Sequence, residues 1–342
     1  MSFADEIIAA PIGAVLLGIL EVRQDPNTPW HRQTTPDKGR IAEAVDHVAA
    51  MSFPELLEAA FSAAWRVGPW MSDGASNAAW AYSHVEIRRP IAQVIEEAFA
   101  AQLWAPIDLD AQEWWCGDAA LLLPRAKHGF ENLDWTYGSG EFPWNGLRTV
   151  TAPPTLVHES FVGDQEIPKP VGRWALPVDR STLDAQPVFT VHRPADWAEL
   201  ITRHPKGAQP GRGWWGLPGN QDQLRRNDPI FDLQYQHAAV RSHSGHLVPN
   251  WSSVATEYSG VHLSWGGWIT SEGFIHIDEH DFATGVRYWF SDRTFWLRDV
   301  FGEPRCLEPP RDRAGSHSKS TSRRTRPAER PPRPRCSLAR PT

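Results

Sequence analysis

The sequence predicts an α+β protein: a helical N-terminal domain, then a mixed α+β domain with an antiparallel C-terminal meander, then a disordered tail. Three observations lead to this class. Apolar residues first recur at helical spacing, short apolar runs broken by Pro and Gly follow, and the last segment has hardly any large apolar residue. We place the three parts at residues 1–106, 107–302 and 303–342. A chain of 342 residues, 41% apolar and 22% charged, can bury a sizeable core.

The helical domain is predicted from four segments. The apolar run at residues 7–20, IIAAPIGAVLLGIL, is interpreted as a helix packed in the core. In SFPELLEAAFSAAW, Ser52 and Glu55 have the spacing of a capping box. IAEAVDHVAAM and RRPIAQVIEEAFAAQLW repeat apolar residues at helical spacing. Because each apolar helix face needs a partner, we expect these helices to pack together.

The segment after residue 106 is predicted to be richer in strands. ALLLP, LRTVTAPP and PVFTVHR are interpreted as strands, and PADWAELITRHP as a helix that Pro205 stops. GVHLSWGGWIT, EGFIHID, GVRYWF and TFWLRDVF follow one another with turn residues between them, which indicates an antiparallel meander. In the first of these, Gly266 and Gly267 are expected to break or bulge the strand.

Residues 303–342 are expected to form a disordered tail. Burial cannot offset the entropy of ordering a segment such as RDRAGSHSKSTSRRTRPAERPPRPR. The tail holds 11 basic and 4 acidic side chains, whereas the whole chain has a net charge of −7. A basic tail on an acidic body favours a solvated segment, and contact with nucleic acid is the alternative.

Cysteine content and the N-terminal apolar run bear on the compartment. Cys116, Cys306 and Cys336 are odd in number and far apart, unlike a disulfide framework or a cysteine zinc site. The 14 residues at 7–20 fall short of a bilayer span and follow acidic residues, not the basic segment of a signal peptide. We therefore predict a cytoplasmic protein without a membrane span.

Two motifs lack the context that their chemistry requires. GRGWWG, residues 211–216, matches G-x-G-x-x-G, but no strand is predicted before it and Pro218 follows, so a flexible loop is favoured. In HIDEH, strand alternation would place His276, Asp278 and His280 on one face, as metal ligands require. A hairpin turn explains the same residues, and we predict no metal site and no cofactor.

Tryptophan is unusually frequent, with 18 in the chain. Neighbours such as Trp214 and Trp215 face opposite sides of an extended strand, so some indole surface is expected to line a groove or an interface. The remaining tryptophans are interpreted as part of a core that is rich in tryptophan.

Several segments together resemble a group of uncharacterised actinobacterial proteins. TVHRPADWAEL carries a P-x-D-W-x-x-L helix, and PNWSSVATEYSGVHLSWGGWITSEG carries W-x-x-V-A-x-x-Y-x-G-V-H-L. WNGLRTVTAPPTLVHESFVGD and RTFWLRDVF extend the resemblance over roughly residues 118–301. The resemblance implies a shared domain and a GC-rich bacterial source, and it carries no activity, fold or site.

Two functional hypotheses follow from the residues. The first is a binding protein with an aromatic-lined, polar-edged pocket for a small polar ligand or a protein partner. Its candidate residues are Trp214, Trp215, Ser264 and Trp265. The second is an enzyme, a transferase or hydrolase acting on a nucleotide or similar polar substrate. Its candidate catalytic residues are Arg241, His243, His262 and Glu272.

The enzyme hypothesis assigns a role to each group. Arg241 would hold an anion, a histidine would shuttle a proton, and Glu272 would stabilise positive charge or act as a base. In GVHLSW, Val261, Leu263 and Trp265 are expected on one face of the strand, with His262 and Ser264 on the other. A structural role for this stretch is favoured over a site.

Overall fold

The N-terminal third of the protein is helical, as predicted. The computed structural model describes residues 2–22, 36–67, 80–116, 119–133, 147–151, 172–183, 187–207, 245–286, 289 and 291–308. Its first helices are α1 (Phe3–Ala9), α2 (Pro11–Val22), α3 (Lys38–Ala50), α4 (Phe53–Val67) and α5 (Arg89–Leu103). Helix α4 begins at the predicted cap, since the Glu55 carboxylate accepts hydrogen bonds from the backbone N–H and the hydroxyl of Ser52, both at 2.7 Å.

The apolar run predicted as one helix is two helices. Helices α1 and α2 meet at an angle of 96° around Ala10, and Pro11, which has no N–H to leave unpaired, is the first residue of α2. In the described ranges no single helix is long and apolar enough to cross a membrane, although this bent pair passes the same test by length and composition. Most side chains of α2 are buried in the core.

The rest of the chain alternates strands and short helices. The strands are β1 (Gln112–Cys116), β2 (Leu147–Thr151), β3 (Gly172–Ala175), β4 (Val188–Val191), β5 (Pro205–Gly207), β6 (Gly245–Pro249), β7 (Gly260–Leu263), β8 (Ile275–Ile277), β9 (Phe282–Gly285), β10 (Arg293–Trp296) and β11 (Arg305–Glu308). The helices are α6 (Ala119–Gly129), α7 (Arg180–Leu183), α8 (Pro194–Arg203), α9 (Trp251–Glu257) and α10 (Trp265–Ser271).

Two segments predicted as strands are helical. ALLLP lies in α6, where Ala119 and Leu123 are buried four residues apart, a spacing that a five-residue window does not reveal. The strand predicted through GVHLSWGGWIT ends at Leu263, and α10 starts directly afterwards because the Ser264 hydroxyl caps it by accepting from Gly267 N at 3.1 Å. Trp265 therefore does not continue the strand face of Val261 and Leu263.

The strands form two mixed sheets, and the α+β class is confirmed. The larger sheet has the order β11-β3-β1-β2-β10-β7-β4, antiparallel throughout except for the parallel pair β4 and β7. The smaller sheet has the order β5-β6-β9-β8. The C-terminal strands pair antiparallel, β7 with β10 and β8 with β9, but these two pairs lie in different sheets instead of one sequential meander.

Helices cover one face of the larger sheet. Val191, Leu263 and Phe295, on neighbouring strands, belong to the same apolar cluster as the buried side chains of α1 to α5. The predicted boundary near residue 106 falls between α5 and β1, and this core continues across it within one compact unit, residues 1–311.

The predicted tail starts too early. Residues 305–308 form β11, which pairs with β3, and the backbone N–H of Gly302 donates to Pro177 O at 3.0 Å. The predicted start at residue 303 is therefore wrong, because backbone pairing orders a segment that has few apolar residues. The remainder of the tail, residues 309–342, lies outside the described residues.

Candidate functional site

The second face of the larger sheet carries two adjacent rows of polar side chains. The strand register places Thr190, His262, Thr294 and Thr149 side by side on β4, β7, β10 and β2. Two residues further along the strands, the same face carries His192, Ser264, Asp292, Thr151 and Gln112. Contacts between His192 and Ser264, Asp292 and Thr151, and Gln112 and Thr151 confirm the second row. These nine residues are called the polar patch below.

The polar patch occupies one end of an otherwise apolar face. Next to it, Trp296, Leu147 and Cys116 are buried in a second apolar cluster with side chains of α6. Because successive side chains of a strand alternate between faces, the helix-covered side and the patch side are built from the same five strands. The sheet therefore separates an apolar core on one side from a mostly buried layer of polar side chains on the other, within one residue step.

Part of the patch is a satisfied hydrogen-bond network. Trp296 Nε1 donates to Thr149 Oγ1 at 2.7 Å, and Thr149 Oγ1 donates to Gln112 Oε1 at 2.5 Å. Gln112 Nε2 in turn donates to Asp108 O at 2.7 Å. Buried polar groups with complete partners fix a sheet in one register, so we assign this half of the patch a structural role.

His262 belongs to the same satisfied half. Its Nδ1 lies 3.0 Å from Thr294 Oγ1, and the residue is 1% exposed. Burial, with a smaller contribution from the charge of His192, lowers the pKa of His262 from 6.5 to about 3. His262 is therefore neutral at physiological pH.

His192 and Ser264 join the ends of two parallel strands. His192 Nδ1 lies 3.0 Å from Ser264 Oγ, whereas Val191 O, the other acceptor for that hydroxyl, lies at 3.4 Å. The shorter distance favours a Ser264 hydroxyl that donates to Nδ1, which leaves the proton of His192 on Nε2. Burial, partly opposed by Asp196, lowers the pKa of His192, so this imidazole is neutral as well.

Asp292 and Thr151 form the unsatisfied half of the patch. Asp292 is 6% exposed, and burial raises its pKa from 3.8 to about 7 despite the opposing effects of the Thr151 backbone N–H and hydroxyl and of Arg293. The Thr151 backbone N–H and hydroxyl thus lie close enough to the carboxyl to favour its ionised form. In the part of the chain that the structure describes, Asp292 Oδ1 and Thr151 Oγ1 are buried and have no hydrogen-bond partner. Such pairs of orphaned atoms are costly and uncommon.

Indole rings border the patch on the side of β1 and β3. Trp114 and Trp174 are paired across these strands, and Trp114 is 3% exposed. The Nε1 atom of the half-buried Trp174 is itself buried and has no partner among the described residues. These two tryptophans differ from Trp214, Trp215 and Trp265, which the sequence suggested.

The predicted site residues divide into four groups. His262 and Ser264 lie together on the polar patch. Glu272 follows the last residue of α10, about 12 Å along the helix from its Ser264 cap. Trp265 packs edge to face against Phe53 and Phe61 in the helical core. Arg241, His243, Trp214 and Trp215 lie outside the described residues.

The HIDEH segment forms a hairpin turn between β8 and β9. The Asp278 carboxylate accepts from the backbone N–H groups of His280 and Phe282 at 2.9 and 2.8 Å, which satisfies it within the turn. Asp281 adopts a left-handed conformation with φ of 65°. Among the described residues, no cluster of three His, Cys, Asp or Glu side chains is arranged to hold a metal ion.

A separate open groove lies at the other end of the larger sheet. It has a volume of about 760 Å³ and lies among α6, α9 and residues 297–299. Its charged side chains pair internally, Lys127 with Asp299 at 3.0 Å and His128 with Glu131 at 2.9 Å. Arg298 donates to Ala255 O at the end of α9. The groove thus lacks the unpartnered buried groups that distinguish the polar patch.

Sequence reasoning missed His192, Asp292 and Thr151. Alternation in VFTVHR puts Thr190 and His192 on one face of a strand, and alternation in LRTVT does the same for Thr149 and Thr151. Each pair could therefore be predicted from its own strand. The pairing of β2, β10, β7 and β4, which brings the pairs together, has no local signal. Asp292 was harder still to predict, because it precedes its strand in a Ser-Asp pair that is typical of a turn.

Fold and site define an α+β protein whose larger mixed sheet, with seven strands in the described residues, is covered by helices on one face and carries a polar patch on the other. Comparisons with protein-family models, with curated proteins and with solved structures find no match for the chain.

Proposed function

We propose that the protein binds a small polar ligand on the polar patch. The observation that carries the proposal is the pair of buried, adjacent and unpartnered atoms Asp292 Oδ1 and Thr151 Oγ1. An unsatisfied buried polar group costs about 1–3 kcal/mol, and more when it is charged. A ligand that bonds to both atoms recovers this free energy, so the folded protein is preorganised for it.

The surroundings of these atoms support a binding role. Thr151 and the satisfied network around Thr149 lie on regular strands, and Asp292 directly precedes β10, so both orphaned atoms are held by or next to rigid elements. His192, Thr190 and Thr151 are half-buried, so the patch is partly exposed at these three residues. The half-buried Trp174 of β3 adds apolar surface for the ligand body.

An enzyme is the second candidate, and one observation favours it. A carboxyl whose pKa burial raises to about 7, as in Asp292, is suited to general acid–base catalysis at neutral pH. The Ser264 hydroxyl is engaged by Gly267 N and His192, and the catalytic candidate Glu272 lies at the far end of α10. These contacts support binding more than covalent catalysis.

We further propose a cytoplasmic protein of actinobacterial origin. The proposal rests on the dispersed cysteines and on the sequence resemblance. A nucleic-acid contact through residues 303–342 is an alternative partner. Deleting residues 309–342, beyond β11, and comparing salt-dependent retention on DNA tests it, because such contacts weaken steeply with salt.

A thermal-shift screen of sugars, nucleotides, amino acids and amines tests the binding proposal. We expect at least one compound to raise the Tm of the wild type and to lose this effect in D292N and T151V. D46N is the matched control because Asp46 is exposed on α3. Compounds that stabilise wild type, D292N and T151V equally would show that the patch is not the binding site.

A further inference from the structure

We infer that the group recognised on the polar patch is a primary or secondary ammonium, carried by a small molecule that donates hydrogen bonds to Asp292 Oδ1 and Thr151 Oγ1. The inference rests on the proposed function and specifies its ligand class. Its basis is the balance of donors, acceptors and charges around these two atoms.

Each of the two orphaned oxygen atoms can accept a hydrogen bond from a ligand. A carboxylate accepts only, and the Thr151 hydroxyl oxygen has two lone pairs and no donor among the described residues. An ammonium group has up to three N–H donors and no acceptor, so it satisfies both atoms without introducing a new unsatisfied lone pair. A ligand carboxylate or phosphate would place like charges together at this position.

The charges around Asp292 favour a cation. His262 on β7 and His192 on β4 are the titratable groups among the other eight patch residues, and burial lowers the pKa of both, so both are neutral. Arg293 is next in sequence and lies on the opposite, helix-covered side of β10, where it lowers the pKa of Asp292 only as the weakest of the named effects. In the described part of the chain no lysine or arginine forms a salt bridge with Asp292. The carboxylate therefore needs its counter-charge from outside the patch.

A neutral polyol would also form hydrogen bonds here, and charge distinguishes the two ligands. An ammonium stabilises the ionised form of Asp292, so its binding increases as pH rises through about 7, where this buried carboxyl ionises. A simple alkylamine stays protonated over this range, because primary amines lose their proton near pH ~10. Binding of a neutral polyol lacks this requirement for an ionised carboxylate.

Butylammonium and its neutral counterpart 1-butanol provide the test. We expect calorimetric titration of the full chain at pH 8 to show binding of butylammonium and none of 1-butanol, and weaker binding of butylammonium at pH 6. Replacing Asp292 with Asn should weaken butylammonium binding about 10- to 100-fold, the factor that loss of a charged hydrogen bond implies. T151V should weaken it less, and D46N should leave it unchanged.

The outcomes separate the ligand class from the site. Absence of butylammonium binding to wild type, or equal binding by D292N, overturns the ammonium inference. If glycerol or ribose instead binds wild type and not D292N, the polar patch remains the binding site and only the ligand class is wrong. If each probe that binds wild type binds D292N and T151V equally well, the proposed function fails as well. Far-UV circular dichroism and urea unfolding of each variant verify that it is folded.

Discussion

His262 Nδ1 and Thr294 Oγ1 lie 3.0 Å apart across two neighbouring strands, at a place where both residues are buried. This pair sits beside Asp292, whose Oδ1 has no such partner within the described ranges. The polar patch thus contains a half in which hydrogen bonds are complete and a half in which they are not. The first half holds the strands together, and the second is the part at which we propose that a ligand binds.

Replacing Thr294 with Val should destabilise the protein by about 1–3 kcal/mol, because the buried His262 imidazole then loses its partner. Urea denaturation monitored by tryptophan fluorescence measures the change. T202V is the matched control, since the Thr202 hydroxyl is exposed and bonds only within its own helix; it should change stability by about 0.5 kcal/mol or less. Equal costs for the two variants would contradict the structural role of the pair.

Replacing Gly267 with Ala should destabilise the junction between α10 and β4. A Cβ atom at this position would lie 2.2 Å from Val191 O, a backbone atom that cannot move aside cheaply. Overpacking of this kind costs about 1–3 kcal/mol or more. G207A is the control because a Cβ atom there meets nothing within 4 Å. Thermal unfolding that shows the same Tm for both variants would exclude this close approach.

The buried ion pair between Glu21 and Arg88 should be strongly sensitive to loss of charge. Glu21 Oε2 accepts from Arg88 Nε at 2.9 Å, and both side chains are 0% exposed. E21Q should cost about 3–5 kcal/mol, because it leaves a buried guanidinium without its counter-charge. E86Q removes one partner of the partly exposed pair with Arg89 and should cost about 1 kcal/mol or less. Chemical denaturation measures both changes in the free energy of unfolding. Similar decreases for E21Q and E86Q would refute the difference between the buried and the partly exposed ion pair.

Stability should depend on pH through Asp292. Its folded pKa of about 7 lies above the ordinary value of 3.8, so between these values the folded state keeps a proton that the unfolded state has released. Raising the pH across this range therefore lowers the free energy of unfolding, by up to about 1.4 kcal/mol per pH unit, and the loss is complete above pH 7.

Comparison with D292N isolates this effect from other titrating groups such as His262. The stability of wild type relative to D292N should fall as pH rises from about 4 to 7 and then stay level. The difference between wild type and D46N should be flat over the same range, since Asp46 is exposed. Urea unfolding at a series of pH values measures both differences. If the difference in stability between wild type and D292N does not change with pH, Asp292 ionises normally in the fold.

Local sequence patterns predicted the helices well because their signals are local. Ser52 and Glu55 mark the start of α4, and the Pro194 to Arg203 segment repeats apolar residues at helical spacing. Helix α10 escaped prediction because two glycines near its start are poor helix formers. Position 267 requires glycine because the backbone approaches Val191 closely there, and this tertiary contact outweighs the low helix propensity of glycine.

The site was less predictable than the fold. Alternation placed His262 and Ser264 on one face, but the partners of that face come from β2, β4 and β10, which are distant in sequence. Asp292 meets Thr151 only because β10 lies beside β2, and no residue near either one signals that pairing. Composition suggested an aromatic-lined pocket, and it did not distinguish Trp265 in the core from Trp174 beside the patch.

The ionisation of Asp292 tests the central claim most directly. A pH titration of its side-chain carboxyl ¹³C chemical shift, assigned by comparison with D292N, requires no ligand and reports this one group. An unpartnered, buried carboxyl on the polar patch predicts a midpoint near pH 7. A midpoint near the ordinary value of 3.8 would contradict the account, because the carboxyl would then be solvated or already paired.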